Sequence, residues 1–283
     1  MITWQEGDIF DESKRLHYYR TGGIKPPVVM VHGFTDNALY WTGVTQKLQS
    51  AYDVIMYDAR GHGTSDRAKG QFSEQDRVDD LLLVIQALNL DQPGLIGHSM
   101  GAATIASAIA QQPGLARWAV LEDPAWMDIS IPPSAHEAAK MVQEYYIHIE
   151  SWREWVTALQ VAPWEQALQW LRNKSPRWSE TDAERSLCAR RQFEMDLFDI
   201  FPRERIEWRE VVNRITTPFL LLTAEVSQGG VVTPEIAREV VKMAPVCRWV
   251  HISGVGHSIR FDDFEAYFQA VKTFLGDMDK VYL

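Results

Sequence analysis

The pentapeptide Gly97-His98-Ser99-Met100-Gly101 places a serine between two glycines, after the apolar run Gly94-Leu95-Ile96 and before an alanine-rich stretch, Ala102 to Gln112. In a strand–turn–helix setting this spacing makes an elbow sharp enough to strain the serine backbone. The glycines on either side remove side chains that would clash with strand and helix. A serine hydroxyl is a weak nucleophile until a base takes its proton. His257, at the end of Gly254-Val255-Gly256-His257, suits that role, because imidazole titrates near neutral pH and can return the proton to a leaving group. A carboxylate is then needed to orient the imidazole and stabilise its charge. Asp123, Glu225 and Glu122 are the candidate carboxylates. Neighbouring strand residues face opposite ways, so Glu122 and Asp123 cannot both reach the histidine.

These residues follow a series of short apolar strands. Lys14–Tyr19, Val28–Val31, Val54–Tyr57, Leu95–Ile96, Trp118–Leu121, Phe219–Leu222 and Arg248–Ile252 read as strands. Helical patterns over Ala38–Leu48, Ser73–Leu88, Gly101–Gln111, Pro234–Met243 and Phe261–Leu275 lie between them. Continuous apolar strands alternating with helices imply a mostly parallel, twisted α/β sheet with helices on both faces. In such sheets chemistry gathers at the carboxyl ends of the strands. His32, Ser99, Asp123, Glu225 and His257 all lie just past such ends.

Residues 125–213 break the alternation: they contain no strand pattern and read as several helices. They carry seven of the 11 tryptophans (Trp126, Trp152, Trp155, Trp164, Trp170, Trp178 and Trp208). The expected organisation is a core domain from residues 1–124 and 214–283, with a helical cap or lid domain at 125–213. Most of the tryptophans should fill the cap interior. Trp126, Trp152 and Trp155, with Phe34, are the candidates for an apolar substrate pocket between cap and core.

Four motifs, taken together and in order, resemble those of the α/β-hydrolase superfamily over essentially the whole chain. His32-Gly33-Phe34-Thr35 is similar to the oxyanion loop. Asp58-Ala59-Arg60-Gly61-His62-Gly63-Thr64-Ser65 is similar to the turn after the next strand. The serine pentapeptide and the Gly254–His257 loop complete the set. The resemblance implies an α/β-hydrolase fold and an oxyanion hole made by the backbone N–H groups of Phe34 and Met100. In most of the family the acid follows the seventh strand. Here that turn reads Ala224-Glu225-Val226-Ser227, with serine at the usual aspartate position. Asp123 lies 24 residues after Ser99, an interval resembling that of haloalkane dehalogenases and zearalenone lactonases, which place the acid after the sixth strand; the resemblance therefore favours Asp123, with Glu225 next and Glu122 third.

The implied activity is that of a serine hydrolase cleaving a carboxylic ester or lactone of an apolar small molecule, without metal or cofactor. A carbon–carbon bond hydrolase, a cofactor-free perhydrolase and a hydrolase-like small-molecule receptor are the alternatives. The formal charge of −10, with no Lys/Arg-rich run, argues against nucleic-acid or anionic-membrane partners. The histidines show no metal-ligand spacing. Cys188 and Cys247 form no metal-spaced or redox pair, and no secretory signal is evident. A cytoplasmic location is therefore expected.

Overall fold

The computed structural model describes residues 4–11, 14–126, 135–201 and 207–282. Eight strands form one sheet: β1 (Gln5–Phe10), β2 (Arg15–Arg20), β3 (Pro27–Val31), β4 (Asp53–Tyr57), β5 (Gly94–His98), β6 (Ala119–Glu122), β7 (Phe219–Thr223) and β8 (Cys247–His251). Their spatial order is β1-β2-β4-β3-β5-β6-β7-β8. β1 and β2 pair antiparallel, as do β2 and β4, and β3 to β8 run parallel. β3, β5, β6 and β7 are buried along nearly their whole length, which explains why they read as continuous apolar runs. β1 was not expected: its sequence is polar and largely exposed, as an edge strand can be, so it carries no apolar signal.

The core helices are α1 (Thr42–Leu48), α2 (Glu74–Ala87) and α3 (Met100–Gln111), then, after the insertion, α8 (Pro234–Met243), α9 (Ile259–Asp262) and α10 (Phe264–Tyr282). One apolar layer packs α2, α3 and α8 against one face of the sheet. The other layer packs α1 and α10 against the opposite face. Ser73 and Asp76 form a reciprocal capping box at the start of α2, satisfying two otherwise orphaned N–H groups. Inside the helix, Asp80 receives Arg60 Nε at 2.7 Å and Nη2 at 2.6 Å. That forked pair ties the turn after β4 to α2, and Asp58 braces the same turn by accepting from the N–H groups of Ala38 and Thr64 at 2.7 and 2.9 Å.

Between β6 and β7 the described residues form helices and no strand: α4 (Ala135–Val161), α5 (Trp164–Lys174), α6 (Glu180–Arg191) and α7 (Trp208–Val212). Two apolar clusters organise this insertion. One, built on Leu159, Leu168, Leu171 and Leu187, is internal to it. The other joins Ile149, Val156, Phe193 and Phe198 to Phe34, Phe72 and Met100 of the core. Polar ties reinforce that seam: Asn37 donates to Gln192 at 2.8 Å, and Glu194 accepts from the Ala68 N–H at 2.8 Å. No helix among the described residues is long and apolar enough to cross a membrane.

Candidate active site

Ser99 sits between β5 and α3 with φ +52° and ψ −115°, a strained conformation for a non-glycine residue. The chain is held there by main-chain bonds, with the Ser99 N–H donating to the Glu122 carbonyl at 2.9 Å. A Cβ at Gly97 would lie 2.7 Å from the Ala102 nitrogen, and one at Gly101 would strike the Val31 carbonyl. The two glycines are thus required by the close approach of β3, the start of α3 and the backbone of Val31 and His32. Ser99 occupies the N-cap position of α3, yet its side chain makes no capping bond.

His257 and Asp123 meet at the carboxyl end of the sheet: His257 Nδ1 lies 2.6 Å from Asp123 Oδ2. Asp123 is wholly enclosed, whereas the His257 side chain is 31% exposed. The carboxylate also accepts from the Val231 N–H at 2.8 Å and the Val232 N–H at 3.0 Å. The two backbone N–H groups thus hold the Asp123 carboxylate with an acceptor oxygen toward His257 Nδ1. Nδ1 of His257 therefore carries its hydrogen, and Nε2 is left as the basic nitrogen. Burial works against a charge on His257, but the hydrogen bond and negative charge of Asp123 outweigh it and raise its pKa above the usual 6.5.

The other two carboxylates lie elsewhere. Glu122 closes β6 and receives the Arg260 N–H at 3.1 Å and Arg260 Nη1 at 2.7 Å, in an ion pair sealed from solvent. The Arg260 guanidinium lies 4.2 Å from the centre of the Trp41 ring and 4.7 Å from that of Phe261. Glu225 faces outward, 3.7 Å from His251. Glu122 and Asp123 thus engage different partners, and the backbone of Asp123 turns to φ +41°.

Met100 is the first residue of α3, so its N–H is one of the helix's orphan donors. Phe34 lies in the turn closed by the Asp36 N–H on the Gly33 carbonyl at 3.2 Å. Their side chains belong to one buried apolar cluster. The Phe34 ring stacks on Phe201 at 4.5 Å and meets Phe193, Phe198 and Trp152 edge-on at 4.9, 5.1 and 5.3 Å. Phe34 and Trp152 are therefore in ring contact. Trp126 and Trp155 do not join them. Trp126 is fully buried in the sheet–helix core, stacked on Trp208 at 5.9 Å. Trp155 packs inside the insertion against Trp170 and Lys174. Tryptophan content alone could not sort these positions, because each ring finds apolar contact wherever its helix docks.

Sequence reasoning missed three contributors. The Val231 and Val232 amides follow Gly229-Gly230, and backbone amides carry no side-chain signal. Asp262 accepts from the Gly256 N–H at 2.6 Å and from Trp178 Nε1 at 2.9 Å, joining the histidine loop to the insertion. Arg260 stands between Ile259 and Phe261 and just before Asp262-Asp263, a mixed polar setting that gives no sign of burial. Among the described residues no group of three or more His, Cys, Asp or Glu side chains could hold a metal.

The chain matches the family model described as alpha/beta hydrolase fold over residues 26–264. It is 27% identical to N-formylmaleamate deformylase of Pseudomonas putida over 278 residues, 95% of this chain and 96% of that protein. Among solved structures, E-2-(acetamidomethylene)succinate hydrolase superposes with a TM-score of 0.79 at 19% identity, covering 97% of this chain and 100% of that one. The enol-lactonase of Burkholderia xenovorans LB400 superposes with a TM-score of 0.70 at 18% identity, covering 94% and 98%.

Proposed function

Because the chain belongs to the α/β-hydrolase superfamily, we propose that it is a serine hydrolase that cleaves a carboxylic ester or lactone of an apolar small molecule through an acyl-enzyme on Ser99. The observation that carries this reading is the 2.6 Å contact between His257 Nδ1 and a buried Asp123 just past β6, together with a strained serine between β5 and α3 whose hydroxyl is not spent on capping. In the proposed cycle, Ser99 Oγ attacks the substrate carbonyl and its proton passes to His257 Nε2. The Phe34 and Met100 N–H groups stabilise the oxyanion. Its collapse expels the alcohol, which takes the proton from His257. A water deprotonated by His257 then attacks the acyl-enzyme, releasing the acid and free Ser99. The apolar seam around Phe34, Met100 and Trp152 supports an apolar substrate, and the residues proposed to line the pocket are now Phe34 and Trp152. Residues 125–213 are proposed to act as its cap.

A second reading is hydrolysis of a C–N bond bearing a small acyl group. It is favoured by the relative matched along nearly the whole chain, which is named for deformylation of N-formylmaleamate. The same nucleophile, base and oxyanion donors serve both readings, since an amine leaving group also takes its proton from His257.

The test is incubation with a fluorophosphonate, followed by peptide mass spectrometry. The expected result is a single adduct on Ser99 that disappears in Ser99→Ala. A folded protein that takes no label would overturn the acyl-enzyme reading. Matched acetate esters, lactones and N-formyl amides then separate the two readings by relative kcat/KM.

A further inference from the structure

His98, the residue before the serine, is only 3% exposed. Its ring packs on that of His257 with centroids 4.6 Å apart. Nε2 of His98 lies 3.0 Å from the main-chain oxygen of His257. Nδ1 lies 3.3 Å from Oδ2 of Asp36, which is equally enclosed. Asp36 belongs to the loop that presents the Phe34 N–H, and that loop is pressed close: a Cβ at Gly33 would lie 2.8 Å from both Asp36 Oδ2 and His98 Nδ1. One imidazole therefore touches the serine elbow through its own backbone, the histidine loop through Nε2 and the oxyanion loop through Nδ1.

A carbonyl oxygen only accepts, so Nε2 must carry a hydrogen. An ionised carboxylate also only accepts, so Nδ1 must carry one too. A neutral imidazole has a single hydrogen. The ring can hold both contacts only as the imidazolium.

We propose that His98 is a positioning residue: a doubly protonated imidazole that ties the oxyanion loop, through Asp36, to the carbonyl of His257, and that slackens the site when its extra proton is lost. The proposal rests on Ser99 being the nucleophile. The groups facing His98 are Asp36, Glu122, Arg260 and His257. For Asp36, burial raises the pKa, but the hydrogen bond and charge of His98 outweigh it and hold the carboxyl at about 2. Burial and then the Arg260 charge outweigh the Asp36 hydrogen bond and lower the pKa of the ring below the usual 6.5, in opposition to the two hydrogen bonds that only the imidazolium can make. Retention is the better reading, because a neutral ring would set lone pair against lone pair at one of its two contacts. The carboxylates of Asp36 and Glu122 also favour a positive ring, against the charges of Arg260 and His257.

The test measures the rate of fluorophosphonate labelling against pH in the full-length protein. The wild-type rate should rise as His257 loses its proton and fall again at alkaline pH as His98 loses its own. In Asp36→Asn the introduced amide can donate to the Nδ1 lone pair of a neutral ring, so the alkaline fall should vanish. His98→Ala should slow labelling at least tenfold across the range. An Asp36→Asn profile that keeps the wild-type alkaline limb, or a His98→Ala rate within twofold of wild type, overturns the proposal. Ring-nitrogen NMR of the wild type at neutral pH, assigned by the signals lost in His98→Ala, decides independently of labelling or of how Asp36→Asn folds. Hydrogens on both nitrogens of His98 support the proposal, and a single hydrogen refutes it. Failure of the wild type to label at all would count against the Ser99 reading, and the NMR result would still stand on its own.

Discussion

Asp123→Asn isolates the role of the carboxylate with almost no change in shape. In the native site, Asp123 Oδ2 receives both His257 Nδ1 and the Val231 N–H, and Oδ1 receives the Val232 N–H. An amide offers one oxygen and one NH2 group. With its oxygen toward His257, the NH2 confronts the Val232 N–H, donor against donor. Turned over, the NH2 confronts the Val231 N–H and forces His257 into the tautomer whose Nε2 carries the hydrogen and cannot act as a base. Either orientation leaves a buried N–H unpaired, which costs about 1–3 kcal/mol of folding stability. The catalytic loss is larger: a wrong-tautomer histidine costs about 10⁴-fold in kcat, which corresponds to roughly 5.5 kcal/mol in the barrier. The assay is the rate of fluorophosphonate labelling or ester turnover beside urea unfolding. The expected outcome is a folded protein, a few kcal/mol weaker at most, with turnover down by several orders of magnitude. A variant within tenfold of wild type, or a Glu225→Gln variant that loses as much, would refute the reasoning.

Glu122→Gln leaves the Arg260 guanidinium buried without its counter-charge and should cost about 3–5 kcal/mol of stability by denaturant unfolding. Phe34→Ala removes a ring that is 4% exposed and packed among other aromatics. It should cost about 3–5 kcal/mol and raise relative kcat/KM on longer acyl chains, measured on an acetate-to-hexanoate ester series. Because His257 must be neutral to act as a base and its pKa is raised by Asp123, activity should rise with pH through a midpoint above 6.5. The same shift stabilises the fold fully below 6.5 and loses that contribution as pH climbs through the raised value. Buried His62 has the opposite sign: burial depresses its pKa to about 3. The unfolded chain then binds a proton that the folded one refuses, and stability should fall as pH drops from about 6.5 toward 3. Chemical denaturation midpoints across that window, with His62→Phe as the flattened control, check it.

The legible part of this protein was its local chemistry. A serine between glycines at an elbow, apolar runs of strand length, and a strand-free segment rich in tryptophan are patterns set by sterics and periodicity within a few residues. They led to the parallel sheet, the helical insertion and the placement of Ser99, His257 and Asp123 at strand ends. β1 escaped because an exposed edge strand needs no apolar face. The choice among Asp123, Glu225 and Glu122 could only be ranked, since it depends on which carboxylate meets the ring of His257 from a loop 134 residues away in sequence. Tertiary structure alone decided that Asp123 is held by the amides of Val231 and Val232, that Glu122 is taken by Arg260, and that Trp126 and Trp155 pack away from Phe34. Each of these is a meeting of distant segments through groups that every residue carries or that many residues share. No spacing rule encodes them, because they follow from how the strand ends and the insertion close on one another.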